Sequence, residues 1–507
     1  MDAEFLRYQF EDRHDGVVVK NKFKLGVRHI QMTYMLLCSA SLGALRGSTG
    51  VAILAVTDLT RRNDSYIQTQ DWDGRIQGTI LSSFLFGYAL MLIPAELFLQ
   101  RISAGKHLLT GVLIISGALA VAMPTIVKEG GWIAACNAQL WLGAAQACLA
   151  PSNQSLLTRF LPPNERNFFG FLVHSGSLLG ILIGLPLSGL LSEARLGWEL
   201  VYYSQAMLAL SVACLCALLT ASSPEQHQAM GDTEKEFIRE ALHCYRKRTM
   251  QVPWRSILKT PQFWATAAAH AASNAVFIFF LFYVPAYLLT FGTLKTSSWQ
   301  ASLPFAALWL VRVSAAPTVE WFCRVLRVTF RLNLTTFRKL VNAIGACGVV
   351  ATVTVLPNLS TEWRTLVIVF LTTALSALGF QFCGFLDNHK DMSENYSGSL
   401  MMLSRAVASV VGALVPIVVG LILGDNISDS KRWHTVFLTL ASFYVACNLV
   451  YAVAGSSGRQ YWDGGIVIKS KFGYQNAMID TNHLELEELN HTKLSEQNHM
   501  DTANTEI

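Results

Sequence analysis

Residues 44–53 read "ALRGSTGVAI" and lie inside an apolar run from about Ile30 to about Val56. A run of that length is a membrane-crossing helix, because a bilayer core takes about 20 apolar residues of helix. Arg46 stands near its middle. On insertion scales an arginine at a helix centre costs roughly 2.5–3.5 kcal/mol, so such a residue faces a bundle interior or a wet cavity rather than lipid. One charged side chain therefore sets two expectations: this helix is packed among others, and the bundle has a use for a cation.

Outward from that run the same apolar pattern recurs. Of 507 residues, 52% are hydrophobic and only 14% charged, with a mean hydropathy of +0.37. A soluble chain carries about 25% charged residues. Hydropathy predicts twelve spans, at 30–56, 76–98, 107–127, 132–158, 168–191, 200–221, 263–291, 299–323, 337–356, 364–386, 397–423 and 433–455. The fold class expected is an all-α polytopic membrane protein. The longest polar interruption, 222–262, parts six spans from six. The expected domains are an N-terminal tail 1–29, a bundle 30–221, an interdomain loop 222–262, a second bundle 263–455 and a tail 456–507. That tail is acidic and polar, a composition that stays disordered. The opening "MDAEFLRYQFEDRHDGVVVKNKFK" is too charged for a cleavable signal.

Charge sets the orientation. With the N-terminus inside, the inner segments hold most of the 39 Lys and Arg, the loop 324–339 "RVLRVTFRLNLTTFRK" above all; both termini are then cytoplasmic. The sequons at Asn63, Asn358 and Asn426 fall in outer loops and are candidate glycosylation sites, whereas Asn333, Asn395 and Asn490 fall inside and should be silent. The ten cysteines form no CxxC pair and read as small apolar packing residues. No phosphate-binding loop, GxSxG, HExxH or zinc spacing occurs, so no enzyme activity, metal or nucleic-acid partner is expected. The partners expected are the lipid bilayer and a small solute, with the chain a monomer. Thr505-Glu506-Ile507 has the pattern that PDZ-type domains capture at a free carboxylate, the alternative being a bare tail.

Several stretches in order and spacing then narrow the reading. "WDGRIQGTILSSFLFGYALMLIP" (72–94), "LPPNERN" (161–167), "LGW" (196–198), "VPWRSILKTPQFWA" (252–265), "VPAY" (284–287), "NHKDMSENYSGSLM" (388–401) and "RWHTVF" (432–437) are the carriers. Together they resemble the anion:cation symporters of the major facilitator superfamily, the sialin, vesicular glutamate and sodium–phosphate transporters. "HAASNAVF" (270–277) leans to the sialin-like branch. The resemblance runs from about residue 25 to about 462 and implies two six-helix bundles around a midplane cavity, with transport by alternating access.

It also implies a role for Arg46: the family's first-helix arginine faces the cavity and meets the anionic group of the substrate. A guanidinium suits this, being planar, bidentate and never neutral. An internal clamp between helices is the structural alternative. Gln139 and Gln146 stand where relatives carry an Arg and a Glu, and Ser273 where the glutamate branch has an Arg. A glutamine binds substrate but cannot titrate, which removes the usual proton site. His270 and His174 are the candidate replacements for proton coupling. His270 and Asn274, four residues apart on one helix face, join the substrate-binding candidates. So does Arg405 in "MMLSRAVAS", either an added cavity cation or a snorkelling one. Arg312 reads as a partner for Glu320, Glu96 as one for the Arg101/Lys106 loop, and Tyr283 as a cavity-lining candidate.

The function expected is secondary transport of a small organic or inorganic anion, carboxylate or phosphate. A non-transporting sensor or scaffold and a passive anion channel are the alternatives. No cofactor is expected; Na+ and H+ both stand as coupling ions, and plasma membrane and vesicle or lysosomal membrane both stand as locations.

Overall fold

Lys128 to Trp132 reads "KEGGW", and there the chain turns a corner inside what is otherwise continuous helix. Gly131 adopts φ +62°, ψ −160°, a conformation that only glycine reaches without strain. The helix Gly105–Ala147 is thereby folded into two legs. The structure, a computed structural model, describes residues 26–58, 67–101, 105–243, 252–290, 294–314, 325, 332–359, 363–393, 395–427 and 429–463.

Within these the chain is helical throughout. We number the helices α1 (Val27–Val56), α2 (Gly74–Arg101), α3 (Gly105–Ala147), α4 (Leu149–Phe160), α5 (Pro163–Ser192), α6 (Trp198–Leu219), α7 (Asp232–His243), α8 (Trp254–Leu258), α9 (Pro261–Leu289), α10 (Leu294–Ser314), α11 (Leu334–Val355), α12 (Arg364–Phe380), α13 (Phe385–Met392), α14 (Ser397–Leu423) and α15 (Ser430–Ala454). Ten helical stretches among the described residues are long and apolar enough to cross a membrane, counting 105–160 as one. The two legs of that stretch match the third and fourth predicted spans. Of the predicted span 299–323, helix α10 covers only the part to Ser314; the remainder lies outside the described residues, as do Glu320, the Arg312 side chain, Asn63 and residues 505–507.

Apolar side chains cover the outside: Leu90, Leu218 and Val453 are each about three-quarters exposed, as suits a surface made for lipid rather than water. With no hydrophobic drive between helices in lipid, small residues set which ones meet. A Cβ on Gly180 would lie 1.9 Å from the Ala40 carbonyl and one on Gly143 1.9 Å from the Phe84 carbonyl, so α5 lies on α1 and α3 on α2 at backbone distance. Across the two halves, Gly74 N–H donates to the Gly424 carbonyl at 2.9 Å, and Cβ atoms on Gly78 and Gly50 would meet Pro416 and Phe282. Thus α2 runs along α14, and α1 approaches α9, at the end where α2 begins.

At the opposite end α1 is fastened. Arg28 is fully buried; its guanidinium donates to both Glu165 oxygens, at 2.9 and 3.0 Å, and to Glu234 at 3.2 Å. Glu234 also accepts from the Val27 and Arg28 amides, which satisfies orphan donors at the helix start. Helix α7 of the interdomain loop is thereby tied to the first bundle.

Contacts divide the chain into residues 1–458 and 459–507, three residues beyond the predicted start of the tail. In the second unit Arg459 pairs with Asp463 at 2.7 Å.

The glycine contacts give opposite signs for one substitution. Gly143→Ala must push α3 off α2 and lowers the melting temperature of the detergent-solubilised protein by several degrees. Gly111→Ala, which meets nothing within 4 Å, raises stability by about 0.5–1 kcal/mol through helix propensity. Thermal unfolding of both variants reads the difference.

Candidate functional site

Arg46 sits in the middle of α1 and is only partly buried. Its Nε donates to Gln146 Oε1 at 2.6 Å. Its guanidinium carbon lies 5.1 Å from the Tyr88 ring centroid and 5.7 Å from that of Phe84, both on α2. Among the described residues no carboxylate pairs with it. The cation is thus held by a neutral amide and two aromatic faces, which leave its charge intact. Tyr88 and Phe84 were not singled out in the sequence, where an aromatic in an apolar helix reads the same whether it faces lipid or a charge.

Gln146 is placed by a break. The helix stops at Ala147 and restarts at Leu149. Pro151 explains this, because its nitrogen cannot donate to the carbonyl four residues back and its ring crowds that carbonyl. Gln146 is fully buried, and with Oε1 taken by Arg46 its Nε2 has no partner among the described residues. Gln139, two turns away on the same helix, is also buried with Oε1 unpartnered. It is about 10 Å further along the axis and makes no hydrogen bond to Arg46 among the described residues.

The second half contributes α9. His270 Nδ1 lies 2.8 Å from Ser404 Oγ, and Asn274 Nδ2 donates to the Ala408 carbonyl at 2.7 Å. The expected shared face is therefore present, with α14 as its partner at matching four-residue spacing. The His270 ring is 5.5 Å from Phe385 and 6.2 Å from His389. His389 Nδ1 faces the Leu386 carbonyl at 3.0 Å, and its buried Nε2 is unpartnered among the described residues. Arg405, on α14, is partly exposed. His174 does not join this group: its Nδ1 lies 2.8 Å from the Gly170 carbonyl of its own helix. Its neighbour Gly176 packs on Leu36, ten residues before Arg46 and about 15 Å along α1.

Ser273 turns the other way, into a buried polar network. It donates to Gln381 Oε1 at 2.8 Å, as does Tyr444 at 2.5 Å, while Gln381 Nε2 donates to Asn448 at 3.0 Å and Asn342 Nδ2 to the same oxygen at 2.9 Å. Gln381 stands where α12 gives way to a 3₁₀ turn, Gln381–Cys383, before α13. Tyr283 donates to the Pro416 carbonyl at 2.9 Å. With Gly50, Gln77, Phe282, Gly420 and Ile427 it lines a pocket between the halves, one turn along α1 from Arg46.

Comparison with known proteins follows this geometry. The Major Facilitator Superfamily profile matches residues 35–416. A "Putative inorganic phosphate cotransporter" of Drosophila ananassae is 29% identical over 399 residues, 77% of this chain and 81% of that one. Human sialin is 26% identical over 394 residues, 77% of each. Among solved structures, a bacterial homologue of the human lysosomal transporter Spinster, inward-facing and unoccupied, superposes with a TM-score of 0.62 at 14% identity. That match covers 84% of this chain and 97% of the homologue and concerns the fold.

Removing Gln381 takes the acceptor from two buried hydroxyls, Ser273 and Tyr444, and one of the two donors from Asn448 Oδ1. Gln381→Leu therefore destabilises the protein by about 2–4 kcal/mol, while Asn358→Gln, at an exposed side chain, changes stability by less than about 0.5 kcal/mol. Unfolding in detergent checks both.

Proposed function

The chain belongs to the Major Facilitator Superfamily, an integral multi-pass membrane protein, and from that premise we propose that it is a secondary active transporter of small anions with Arg46 as the anion anchor. One observation carries the reading. A guanidinium in the middle of a membrane helix is partly open and is held by Gln146, Tyr88 and Phe84 rather than by an acid. Its charge is left for a guest, and the unpartnered Gln146 Nε2 beside it supplies a further donor.

The two halves are built for alternating access. They meet through backbone-close glycine contacts along α2 and α14, which suit rigid-body rocking around a central site. A relative named for inorganic phosphate cotransport supports phosphate as a cargo, and the family resemblance adds organic carboxylates. The uncharged Gln146 has a use here: its amide orients Arg46 without neutralising it.

For the coupling ion, His270 on α9 is the candidate proton carrier, and uptake at two pH values with and without sodium separates H+ from Na+. The N-terminus is assigned to the cytoplasm, which makes the α2-start end the outer one and exposes Asn358 and Asn426, both on the surface, for glycosylation. The chain is taken as a monomer, in a surface or vesicle membrane.

In liposomes the purified protein takes up phosphate or a carboxylate saturably. Arg46→Ala reduces that uptake at least about 100-fold, and Arg46→Lys, which keeps charge but not the planar fork, restores part of it. Uptake by Arg46→Ala equal to that of the unmutated protein rejects the anchor.

A further inference from the structure

Arg405 is a second intramembrane cation without an acid. Its guanidinium makes no hydrogen bond and no ion pair among the described residues, and it is partly exposed. The packing places it level with Arg46. Ala406, the next residue, joins Leu92 and Ala147 in a small apolar cluster against which Tyr88 packs. Tyr88 is the ring under Arg46, and Ala147 follows Gln146, the Arg46 partner. Arg46 and Arg405 therefore approach one space from opposite halves.

Two cations facing across a low-dielectric space repel, and among the described residues no carboxylate stands between them to cancel the repulsion. A singly charged guest satisfies one. A doubly charged guest satisfies both and joins the two halves through itself. Resting on the anion-transporter reading above, we propose that Arg46 and Arg405 form a two-cation site that selects small divalent anions over monovalent ones of the same shape. Arg46 holds the guest to the first half, and Arg405 reads its second charge. Gln146 Nε2 is the neutral donor between them. The chemistry shared by hydrogen phosphate and a short dicarboxylate, two negative charges within a few ångströms, is what the pair recognises.

Charge is isolated from shape by esters. Purified full-length protein in liposomes at pH 7.5 is given radiolabelled succinate or monomethyl succinate, and inorganic phosphate or dimethyl phosphate. The unmutated protein should prefer the divalent member of at least one pair by about tenfold or more, and the pair concerned identifies the cargo as dicarboxylate or phosphate. Arg405→Gln brings that ratio close to one, and Arg405→Lys keeps most of it, which a merely structural role for the residue would not produce. Monodispersity and melting temperature certify that each variant is folded. Equal uptake of mono- and divalent anions by the unmutated protein, or an unchanged ratio in folded Arg405→Gln, overturns the two-cation site and leaves the Arg46 anchor standing. Absence of uptake for all four anions overturns both.

Discussion

A guanidinium solvated by an amide and two aromatic rings, rather than by a carboxylate, is the constraint on which the site depends. A buried Arg–acid pair would cancel itself and leave no net charge for a guest. Arg28 shows that alternative within the same helix. Eighteen residues before Arg46, it is fully buried against Glu165 and Glu234, and its charge is spent on holding α1, α5 and α7 together. One helix thus carries two arginines with opposite fates, decided by whether acids or neutral donors and acceptors surround them. The structural arginine sits at the helix end; the open one sits at mid-membrane, where a free charge costs most and therefore most needs a purpose.

The two halves repeat a framework and differ in what hangs on it. In the first, a spanning helix breaks after Gln146, and that glutamine reaches Arg46. In the second, a spanning helix breaks at Gln381, and that glutamine reaches Ser273. Each break frees backbone groups that must be satisfied inside protein, and a glutamine at the break is placed at bundle depth with both donor and acceptor to offer. The second half satisfies both ends of its glutamine amide, through Ser273 and Tyr444 at Oε1 and Asn448 at Nε2, which holds it in place. The first leaves one amide nitrogen open, which makes it receptive.

How far the sequence foretold this varies by element and for physical reasons. The spans were legible because an apolar run of bilayer length has few other uses, and the break before Pro151 is of a kind that proline announces. The break at Gln381–Gly384 carries no proline, and hydropathy, which reads 132–158 and 364–386 each as one span, reports neither break. Arg46 stood out as a charge among apolar residues. Its partners Tyr88 and Phe84 did not, since only the rotation of α2 tells a ring facing a cation from one facing lipid. Four-residue spacing puts His270 and Asn274 on one face of α9, whereas Ser404 and the Ala408 carbonyl, which they meet, follow only from the packing of α9 on α14. His174 had the right chemistry and the wrong height: a histidine early in α5 is level with Leu36, and nothing in the residue type reports depth.

Position along the bundle also separates the contacts between the halves from the mid-membrane cations. At the α2-start end the halves touch backbone to backbone, with Gly74 N–H bonded to the Gly424 carbonyl. At the other end α7 is fastened to the first bundle through Arg28 and Glu234. A rocking motion must pivot between these ends, and the residues found there are Arg46 and Gln146 from one half and Arg405, His270 and Asn274 from the other. Side chains at a pivot keep facing each other through the whole swing, so a guest held there by charge need not be released while the gates on either side exchange.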